Sequence, residues 1–570
     1  MTEPIVSFTD FSFKYNSQME PSLQHINLNI MPGEKVLIVG PSGSGKSTLA
    51  KCINGLIPNV DEGVITGNAK VAGHSVGKTE LFELSFSVST VLQDTDSQFT
   101  GLTSAEDIAF ALENDEVPQA EMHEIVSKWA KKLNITGILN NAPQALSGGQ
   151  KQKVSLAGVL VNNAPILLLD EPLANLDPQS SLAILALVNR LQKELGFTVI
   201  MIEHRLGEVL SQEVDHVVVF NEGKIVSDSD VTTLLRSDIL EQNGIEPPLY
   251  IDVLKAAGVD LSQYAELDSL AKMNLTAADK AKVVAWVEAG QYVKPKLSDI
   301  PLLEVKNVGF AYTNNQPHPL KDVSFTINEG DFVSVVGQNG AGKSTIMKLI
   351  CGFLRGTGEI DWQGKFLADE SVKEIAEKIG FVMQDPNKMI SQKTVFDEVA
   401  LGLNLRHYDD VEGRVAKVLR VCGLYPFRNW PISALSYGQR KRVTIAAILV
   451  LNPKLLILDE PTAGQDWDTY TTIMTFLEKL HRDGITIAII THDMQLMTEY
   501  TDRSLVFGDG KLLADTTPFG ILNDDKLIKE ANLAKTSLSE LAKLVGVSDE
   551  RLVRRFIQLE QKTRGQRIDE

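Results

Sequence analysis

The sequence predicts an α/β protein built from two similar halves, and two repeated features lead to this prediction. A glycine-rich loop at residues 40–48 recurs at 337–345, and an apolar run ending in Asp-Glu at 167–171 recurs at 456–460. Other short motifs recur in the same order at nearly constant spacing. Self-similarity of this kind is typical of a duplicated structural unit. The chain is therefore expected to contain the same fold twice.

Each half alternates strand-like and helix-like patterns. Apolar, β-branched runs at 35–39 and 198–202 predict strands buried on both faces of a parallel sheet. Between such runs, residues 181–195 repeat apolar side chains every three or four positions, which predicts a helix. This alternation predicts a doubly wound sheet that binds its ligand beyond the carboxyl ends of the strands.

The composition of the chain disfavours several classes of function. The chain has 570 residues and a net charge of −19, from 55 Lys and Arg against 74 Asp and Glu. Phosphate backbones and anionic lipid headgroups repel such a chain, so no nucleic-acid partner is expected. No apolar run approaches the ~20 residues that a spanning helix needs, and the start does not resemble a signal peptide. If the protein works at a membrane, another subunit must supply the membrane part.

The motifs also suggest domain boundaries. We expect a first domain of the repeated α/β fold at 1–225, a helical appendage and linker at 226–300 with the linker near 292–296, a second such domain at 301–520, and a helical C-terminal appendage at 521–570. Residues 537–548 superficially resemble a DNA-reading helix-turn-helix. The acidic charge favours an amphipathic helix that packs against its own chain. The three cysteines form no C-x-x-C pair, so no disulfide framework or zinc site is predicted.

The two glycine-rich loops match G-x-x-x-x-G-K-[ST], in which backbone N–H groups and a helix N-terminus cradle phosphate. Lys46 and Lys343 are expected to reach the β- and γ-phosphates of ATP, and Ser47 and Ser344 to ligate Mg²⁺. The alternative is a glycine-rich turn that contains a lysine by chance. Two copies of the motif, each after an apolar strand, disfavour this alternative. The predicted ATP-binding residues of the loops are Gly40, Pro41, Ser42, Gly43, Ser44, Gly45, Lys46, Ser47 and Thr48, and Gly337, Gln338, Asn339, Gly340, Ala341, Gly342, Lys343, Ser344 and Thr345.

An acidic pair ends the later strand of each half. Asp170 and Asp459 are expected to project from the sheet edge toward the magnesium ion. Glu171 and Glu460 are placed to orient or deprotonate the attacking water, and phosphoryl transfer asks little more of a protein than positioning and charge. An isolated Asp-Glu after a strand would more often be structural. Its distance after a phosphate loop favours catalysis.

The sequence resembles the ATP-binding-cassette family, because Leu-Ser-Gly-Gly-Gln at 146–150 precedes the Asp-Glu strand and recurs as Leu-Ser-Tyr-Gly-Gln at 435–439. The resemblance implies two P-loop NTPase nucleotide-binding domains, each with a helical subdomain and a small helical appendage. It also implies intramolecular head-to-tail pairing, in which the signature of each half completes the site of the other. The implied signature contacts with ATP are Ser147, Gly148, Gly149, Gln150, Ser436, Gly438 and Gln439. Tyr437 replaces a glycine, so we expect both sites to hydrolyse ATP at unequal rates.

Other positions resemble family residues one by one. Out of context, a lone Tyr or His is more often a packed side chain than a ligand. The resemblance assigns adenine stacking to Tyr15 and Tyr312, magnesium contact and partner sensing to the Q-loop residues Gln93 and Gln384, and γ-phosphate contact to the switch residues His204 and His492. It also implies D-loops at 175–177 and 464–466.

The segment at 94–103, after the first Q-loop glutamine, is similar to that of energy-coupling factor importer ATPases. In the second half, the segment at 384–389 keeps the proline of the family's pattern but replaces the usual Asp and Gln, so coupling through the two halves is expected to be unequal. The resemblance implies ATP and Mg²⁺ as cofactors, and an integral-membrane coupling (T-type) subunit and a substrate-binding (S-type) membrane subunit as partners. It also implies a peripheral location on the cytoplasmic face of the cell membrane. Import of a vitamin or related micronutrient is expected, and the fused pair resembles importers of thiamine or its pyrimidine precursor. A soluble twin-cassette ATPase acting on the ribosome is the alternative.

Overall fold

The computed structural model describes residues 3–93, 95–174, 176–290, 298–312 and 320–569, with side chains to residue 561. The predicted linker at 292–296 lies outside these residues, as do Asp94 of the Q-loop segment and Asn175 of the first D-loop. The chain divides into two compact units, residues 1–283 with 466–468, and residues 284–465 with 469–570.

Ten strands and fourteen helices lie within the described residues up to 290, in addition to short 3-10 turns. The strands are β1 Val6–Tyr15, β2 Leu23–Ile30, β3 Lys35–Val39, β4 Gly63–Val71, β5 His74–Ser75, β6 Val88–Val91, β7 Ile166–Asp170, β8 Thr198–Ile202, β9 His216–Asn221 and β10 Lys224–Ser229. The helices are α1 Lys46–Ile53, α2 Leu56–Asn59, α3 Leu81–Ser85, α4 Thr95–Gln98, α5 Ser104–Asn114, α6 Gln119–Leu133, α7 Gly148–Leu160, α8 Pro178–Leu195, α9 Leu206–Val209, α10 Val231–Arg236, α11 Ile239–Gln242, α12 Leu249–Ala256, α13 Leu270–Met273 and α14 Ala277–Glu288.

The described residues from 298 onward repeat this order. The strands are β11 Pro301–Phe310, β12 Leu320–Asn328, β13 Phe332–Gly337, β14 Thr357–Trp362, β15 Lys365–Phe366, β16 Ile379–Val382, β17 Leu455–Asp459, β18 Thr486–Ile490, β19 Arg503–Gly508 and β20 Lys511–Thr516. The helices are α15 Lys343–Ile350, α16 Val372–Ile375, α17 Val395–Leu405, α18 Val411–Val421, α19 Tyr437–Leu449, α20 Trp467–Arg482, α21 Met494–Tyr500, α22 Pro518–Leu522, α23 Asp525–Glu530, α24 Ser537–Val545 and α25 Asp549–Asp569.

A six-stranded sheet forms the centre of each unit. In the first unit its order is β10-β9-β3-β8-β7-β6, and in the second β16-β17-β18-β13-β19-β20. All neighbours are parallel except the β9–β10 and β19–β20 pairs. Every residue of β3 and of β8 is buried, as their continuous apolar runs predicted. The predicted α/β fold with a parallel sheet is confirmed in both halves.

Each unit also contains a second, antiparallel sheet of four strands. The orders are β2-β1-β4-β5 in the first unit and β12-β11-β14-β15 in the second. Phe8, Phe11 and Phe13 of β1 are buried in the same core as β3 and α1, because one face of an antiparallel sheet covers the parallel one. The sequence analysis did not identify these sheets. Helices α5–α7 and α17–α19 form the helical part that contains each signature motif.

The C-terminal appendage packs its apolar face within the second unit. Leu538 and Leu541 of α24 are buried, and the helix ends at Gly546 in the left-handed conformation. On α25, the guanidinium of Arg554 lies 4.8 Å from the Phe519 ring and that of Arg555 lies 5.1 Å from the Trp286 ring. These two cations stack on aromatic rings instead of facing solvent, which agrees with the predicted packing role. Within the described residues, no helix has both the length and the hydropathy required to cross a bilayer.

The first phosphate loop requires glycine at Gly45 for two reasons, which predicts a large effect of substitution there. Its φ is 107°, and an added Cβ would lie 2.7 Å from the carbonyl oxygen of Ser22. Gly196 after α8 has φ 76° but open space around it. We expect Gly196→Ala to cost roughly 1 kcal/mol for the left-handed conformation alone, and Gly45→Ala to cost clearly more. Thermal unfolding without nucleotide measures the difference, and equal losses would contradict it.

Candidate nucleotide-binding sites

The first phosphate loop connects the central strand β3 to helix α1. The loop needs left-handed backbone at Gly43 and Gly45, with φ of 79° and 107°. Lys46 opens α1, and its Nζ donates to the carbonyl oxygens of Gly40 at 2.7 Å and Pro41 at 2.8 Å. The lysine thus folds back across its own loop. Burial lowers the pKa of Lys46 to about 8, against the opposing effect of the Glu171 carboxylate.

The second phosphate loop has the same construction between β13 and α15. Lys343 Nζ donates to the carbonyl oxygens of Gly337 at 2.7 Å and Gln338 at 2.9 Å. Gly340 and Gly342 take the left-handed conformation, with φ of 82° and 100°. The predicted loop residues therefore form two equivalent cradles, each at the start of a helix. Such a loop presents backbone N–H groups and a positive helix end to an anion.

The predicted magnesium ligands lie at the ends of the strands beside each loop. Asp170 ends β7, and its Oδ1 is buried without a hydrogen-bond partner among the described residues. Burial raises the pKa of Asp170 to about 6, and the adjacent Glu171 adds to the rise. In the second unit, burial also raises the pKa of Asp459, and a hydrogen bond from the Ser344 side chain opposes the rise. A buried carboxylate oxygen without a partner, as at Asp170, and a buried carboxylate beside a serine hydroxyl, as at Asp459, both suit a hard divalent cation such as Mg²⁺.

A glutamate and a histidine meet at each site. Glu171 Oε1 lies 3.1 Å from His204 Nε2, and the Gln93 side-chain amide donates to Glu171 Oε2. In the second unit, Glu460 Oε1 lies 2.8 Å from His492 Nδ1. The structure thus brings together the predicted catalytic residues of each half. The two histidines use different ring nitrogens for this contact.

Both glutamates have a strained backbone. Their φ values are 48° at Glu171 and 45° at Glu460, in the left-handed region that long side chains rarely adopt. Each backbone N–H continues the sheet, donating to the carbonyl oxygen of Ile202 at 2.9 Å or of Ile490 at 3.0 Å. Strain of this kind persists only where surrounding contacts enforce it, and it concentrates at functional sites.

The signature residues lie at the N-termini of α7 and α19. Ser147 and Gln150 form a capping box in which the Ser147 hydroxyl accepts from the Gln150 backbone N–H at 3.4 Å. Ser436 and Gln439 form the same box on α19. In this structure the serine and the glutamine of each motif therefore cap the N-terminus of a helix. Tyr437, where the other copy has glycine, directs its hydroxyl to the Gln384 carbonyl oxygen at 3.5 Å.

Of the two tyrosines predicted to stack on adenine, Tyr15 is the last residue of β1 and Tyr312 follows β11 by two residues. The Tyr15 hydroxyl lies 3.4 Å from Thr48 Oγ1, and its ring packs edge-on against Phe13 at 4.8 Å. The Tyr312 ring packs edge-on against Phe310 at 4.9 Å and is more than half exposed. The Tyr15 hydroxyl thus lies beside α1, which follows the first phosphate loop, and contact of either ring with adenine stays a prediction.

Three residues near these sites were missed by the sequence analysis. Glu203 and Arg205 flank the first switch histidine and hydrogen-bond to Leu173. Lys441 of α19 is buried, and its Nζ donates to the carbonyl oxygens of Met383 at 2.8 Å and Gln384 at 2.6 Å, which ties α19 to the second Q-loop. Burial lowers the pKa of Lys441 to about 8. Comparing the two halves position by position could have found these residues, because the other copy differs at each.

Comparison with known proteins identifies the family. A family model described as "ABC transporter" matches residues 23–174 and 320–463. A second model, described as "ATP-binding cassette cobalt transporter", matches residues 237–310. These two models match a large part of each half and the segment between the halves.

Relatives match over nearly the whole length. A protein of Lactobacillus johnsonii, named as an ABC transporter ATP-binding protein, is 57% identical over 98% of this chain and 98% of its own. A protein of Enterococcus faecalis with the same name is 55% identical over 96% and 97%. A solved structure of cbiO1 from Clostridium perfringens, described as part of the ABC transporter complex cbiONQ, is 31% identical over 43% of this chain and 100% of its own, with a TM-score of 0.38.

The predicted resemblance is therefore confirmed, both for the repeated cassette and for the transport-coupled ATPase activity. Members of the family use ATP with Mg²⁺. The chain belongs to the ABC transporter family, as a duplicated ATP-binding subunit of the energy-coupling type.

Proposed function

We propose that the two halves bind two Mg-ATP between them and hydrolyse both to drive an integral-membrane coupling subunit. The observation that supports this most directly is the duplicated catalytic pair, Glu171 with His204 and Glu460 with His492, each beside a phosphate loop. A scaffold protein would have no need to keep both pairs in a strained conformation. In the head-to-tail arrangement, Ser147 of one half caps the nucleotide bound by Lys343 in the other, and Ser436 caps that bound by Lys46.

The metal would be held by the oxygen donors at each site. These are Ser47, Gln93 and Asp170 at the first site and Ser344, Gln384 and Asp459 at the second. Asp170 and Asp459 end strands, Gln93 and Gln384 follow β6 and β16, and Ser47 and Ser344 lie in the first turn of α1 and α15. When bound, Mg²⁺ neutralises charge on the β- and γ-phosphates. The protein itself grips the phosphates through Lys46 or Lys343 and the backbone N–H groups of each loop.

The glutamates act on the attacking water. Burial alone would raise the pKa of Glu460, but His492 and Lys343 together hold this pKa below its ordinary value. An ionised carboxylate can accept a hydrogen bond from water and orient it for in-line attack. His492 stabilises that ionised form and would contact the γ-phosphate of bound ATP, and His204 would do the same beside Glu171.

An apolar groove in the second unit is suited to receive a helix of the coupling subunit. It encloses about 270 Å³ between α16, α17 and α19. The main apolar residues lining it are Phe353, Val372, Phe381, Leu401, Leu405 and Ile448. Phe353 and Leu405 are more than half exposed. An exposed apolar groove of this kind marks a binding surface for another protein. The groove borders Met389 beyond the Q-loop glutamine, so movement there would reach the nucleotide site.

The first unit exposes a similar set of side chains. Phe82 and Phe86 of the α3 region pack edge-on at 5.1 Å, and Phe110 of α5 has the sequence position that corresponds to Leu401. These three residues are 65%, 46% and 47% exposed, in that order. The two units therefore offer two apolar surfaces of different shape, which supports unequal coupling to the membrane part.

The remaining parts of the proposal rest on resemblance. We propose a peripheral position at the cytoplasmic face of the cell membrane, with T-type and S-type membrane subunits as partners. We propose import of a vitamin or related micronutrient, with thiamine or its pyrimidine precursor as the first cargo to test. The family model over 237–310 is named for cobalt, which makes a cobalt ion the first comparison. The full-length relatives are named for ABC transport, and this does not favour action on the ribosome.

The groove predicts where a single substitution should release the membrane partner. Phe353 in the groove is 53% exposed and Phe366 on β15, outside it, is 48% exposed. We expect Phe353→Asp to abolish co-purification of an integral-membrane subunit from detergent-solubilised membranes, because an ionised carboxylate cannot enter an apolar groove without a large desolvation cost. Phe366→Asp should leave co-purification unchanged. Recovery of ribosomal proteins in place of a membrane subunit would contradict the proposed function.

The separate catalytic pairs predict unequal hydrolysis. Glu171 contacts both Gln93 and His204, whereas Tyr437 alters the signature that would complete the first site. We expect Glu171→Gln and Glu460→Gln each to retain ATPase activity, with residual kcat values that differ by more than about threefold, and the double variant to lose activity. Steady-state phosphate release measures the rates. Indistinguishable single-variant rates would remove the asymmetry.

The assignment of one ATP to the lysine of each phosphate loop predicts how many ATP molecules each variant binds. Replacing Lys46 or Lys343 with alanine removes a charge-assisted hydrogen bond worth about 1.5–3 kcal/mol, so affinity at that site should fall at least about tenfold. Equilibrium dialysis with ATP should then give one tight site per chain in either variant and two in the parent. Lys51→Ala, on the same helix α1 but paired with Asp61, serves as the control. Unchanged stoichiometry in both lysine variants would contradict the assignment.

A further inference from the structure

We infer that Glu203 and Arg205 are positioning residues for hydrolysis in the first unit, because together they bind both backbone groups of Leu173 and fix the loop that contains Glu171. We call this set of contacts the Leu173 clamp. The inference rests on the proposed function, since it concerns the catalytic work of Glu171. It adds two residues that act through others and do not touch the nucleotide themselves.

Glu203 forms the acidic half of the clamp. Its side chain is buried, at 2% exposure for the residue, immediately after β8. Oε1 accepts from the Leu173 backbone N–H at 2.8 Å, and Oε2 accepts from the His204 backbone N–H at 3.1 Å. Burial raises the pKa of Glu203 to about 7, and the Arg205 guanidinium opposes this rise. A buried carboxylate is costly, so its two backbone contacts indicate a geometric role.

Arg205 forms the basic half of the clamp. Its Nη2 donates to the Leu173 carbonyl oxygen, while Nη1 donates to Glu208 Oε1 at 3.1 Å and to Ser181 Oγ at 3.4 Å. One guanidinium therefore joins the loop after β7 to helices α8 and α9. With Glu203, it satisfies the N–H and the C=O of the same residue. Guanidinium is suited to this because its donors have a fixed planar arrangement.

The clamp acts on the catalytic glutamate two residues before Leu173. The Glu171 backbone N–H donates to Ile202, the last residue of β8, and its carboxylate lies 3.1 Å from the His204 ring. The loop is thus held to the end of β8 at Glu171 itself and again at Leu173. Glu460 has a similar φ of 45° without these contacts, so the clamp does not create the left-handed backbone of Glu171; it fixes the position of the loop that follows it. Without the clamp, the backbone could relax and move the carboxylate away from His204.

The second unit attaches the corresponding residues differently. Thr491 and Asp493 have the sequence positions of Glu203 and Arg205. The Asp493 backbone N–H donates to Thr491 Oγ1 at 3.0 Å, and Asp493 Oδ1 accepts from the N–H groups of Gln495 and Leu496 at 2.9 and 3.0 Å. Both side chains serve the N-terminus of α21. The clamp therefore gives a chemical reason for unequal sites that is independent of Tyr437.

The decisive experiment measures hydrolysis by one glutamate at a time. In a Glu460→Gln background, the remaining activity comes from Glu171. There, Glu203→Gln should lower kcat about tenfold or more with KM unchanged within about twofold, since small misplacement of a catalytic group costs rate and not binding. The side-chain NH₂ of glutamine would then face the backbone N–H of His204, and two donors cannot form a hydrogen bond with each other. Glu203→Thr, which copies the second unit, should give a loss at least as large.

Controls separate this inference from simple destabilisation. In a Glu171→Gln background, Glu203→Gln should change the remaining kcat less than about twofold. Glu213→Gln, at an exposed surface carboxylate, should leave kcat unchanged in either background. An equal loss in both backgrounds, a change confined to KM, or an unchanged kcat would overturn the clamp. If the Glu460→Gln parent itself does not hydrolyse ATP while Glu171→Gln does, the proposed function of the first site fails instead.

Discussion

The parallel pairing of neighbouring strands is the constraint on which both sites depend. Ile38 of β3 pairs with Ile202 of β8, and Ile202 also pairs with Asp170 of β7. Because all three strands run in the same direction, their carboxyl ends meet at one edge of the sheet. The phosphate loop, the acidic pair and the switch histidine follow these three ends. Residues more than 150 positions apart in sequence are brought together by this pairing alone, before any nucleotide is present.

The same edge concentrates charged groups that burial disfavours. The pKa of Lys46 is lowered to about 8, which means that its charged form is roughly 3 kcal/mol less stable, relative to the neutral form, than in an exposed lysine. The raised pKa of Asp170, about 6, reflects the same cost for a carboxylate. A polyphosphate with its cation supplies the opposite charges to both groups. Part of the free energy of nucleotide binding therefore comes from relieving a cost that folding has already imposed.

The sequence predicted most of the fold and the main residues of the site, for identifiable physical reasons. Buried parallel strands are continuously apolar, so 35–39 and 198–202 were recognisable, and Asp170 was placed correctly at a strand end. The antiparallel sheet of β1 was not predicted, because its register depends on pairing with β4 some 50 residues away. The left-handed backbone of Glu171 could not be predicted either, since it accompanies a hydrogen bond from its N–H to Ile202 of a neighbouring strand, which only the folded sheet brings close. Glu203 looked like an ordinary polar residue after a strand, and only the three-dimensional contacts reveal its role.

The two halves share one fold but attach their Q-loops and catalytic loops through different side-chain contacts. In the first unit, Lys151 of α7 pairs with Asp96 beyond the Q-loop, and in the second, buried Lys441 of α19 binds Q-loop carbonyl oxygens directly. An ion pair with one exposed partner is weakened by salt, whereas a buried lysine that loses its acceptors is left unsatisfied at a higher cost. The second Q-loop should therefore be the more firmly attached to its signature helix. The first unit instead fixes its catalytic loop, through Glu203. Because fusion always presents the same two halves to each other, each can specialise without having to work in a symmetric pair.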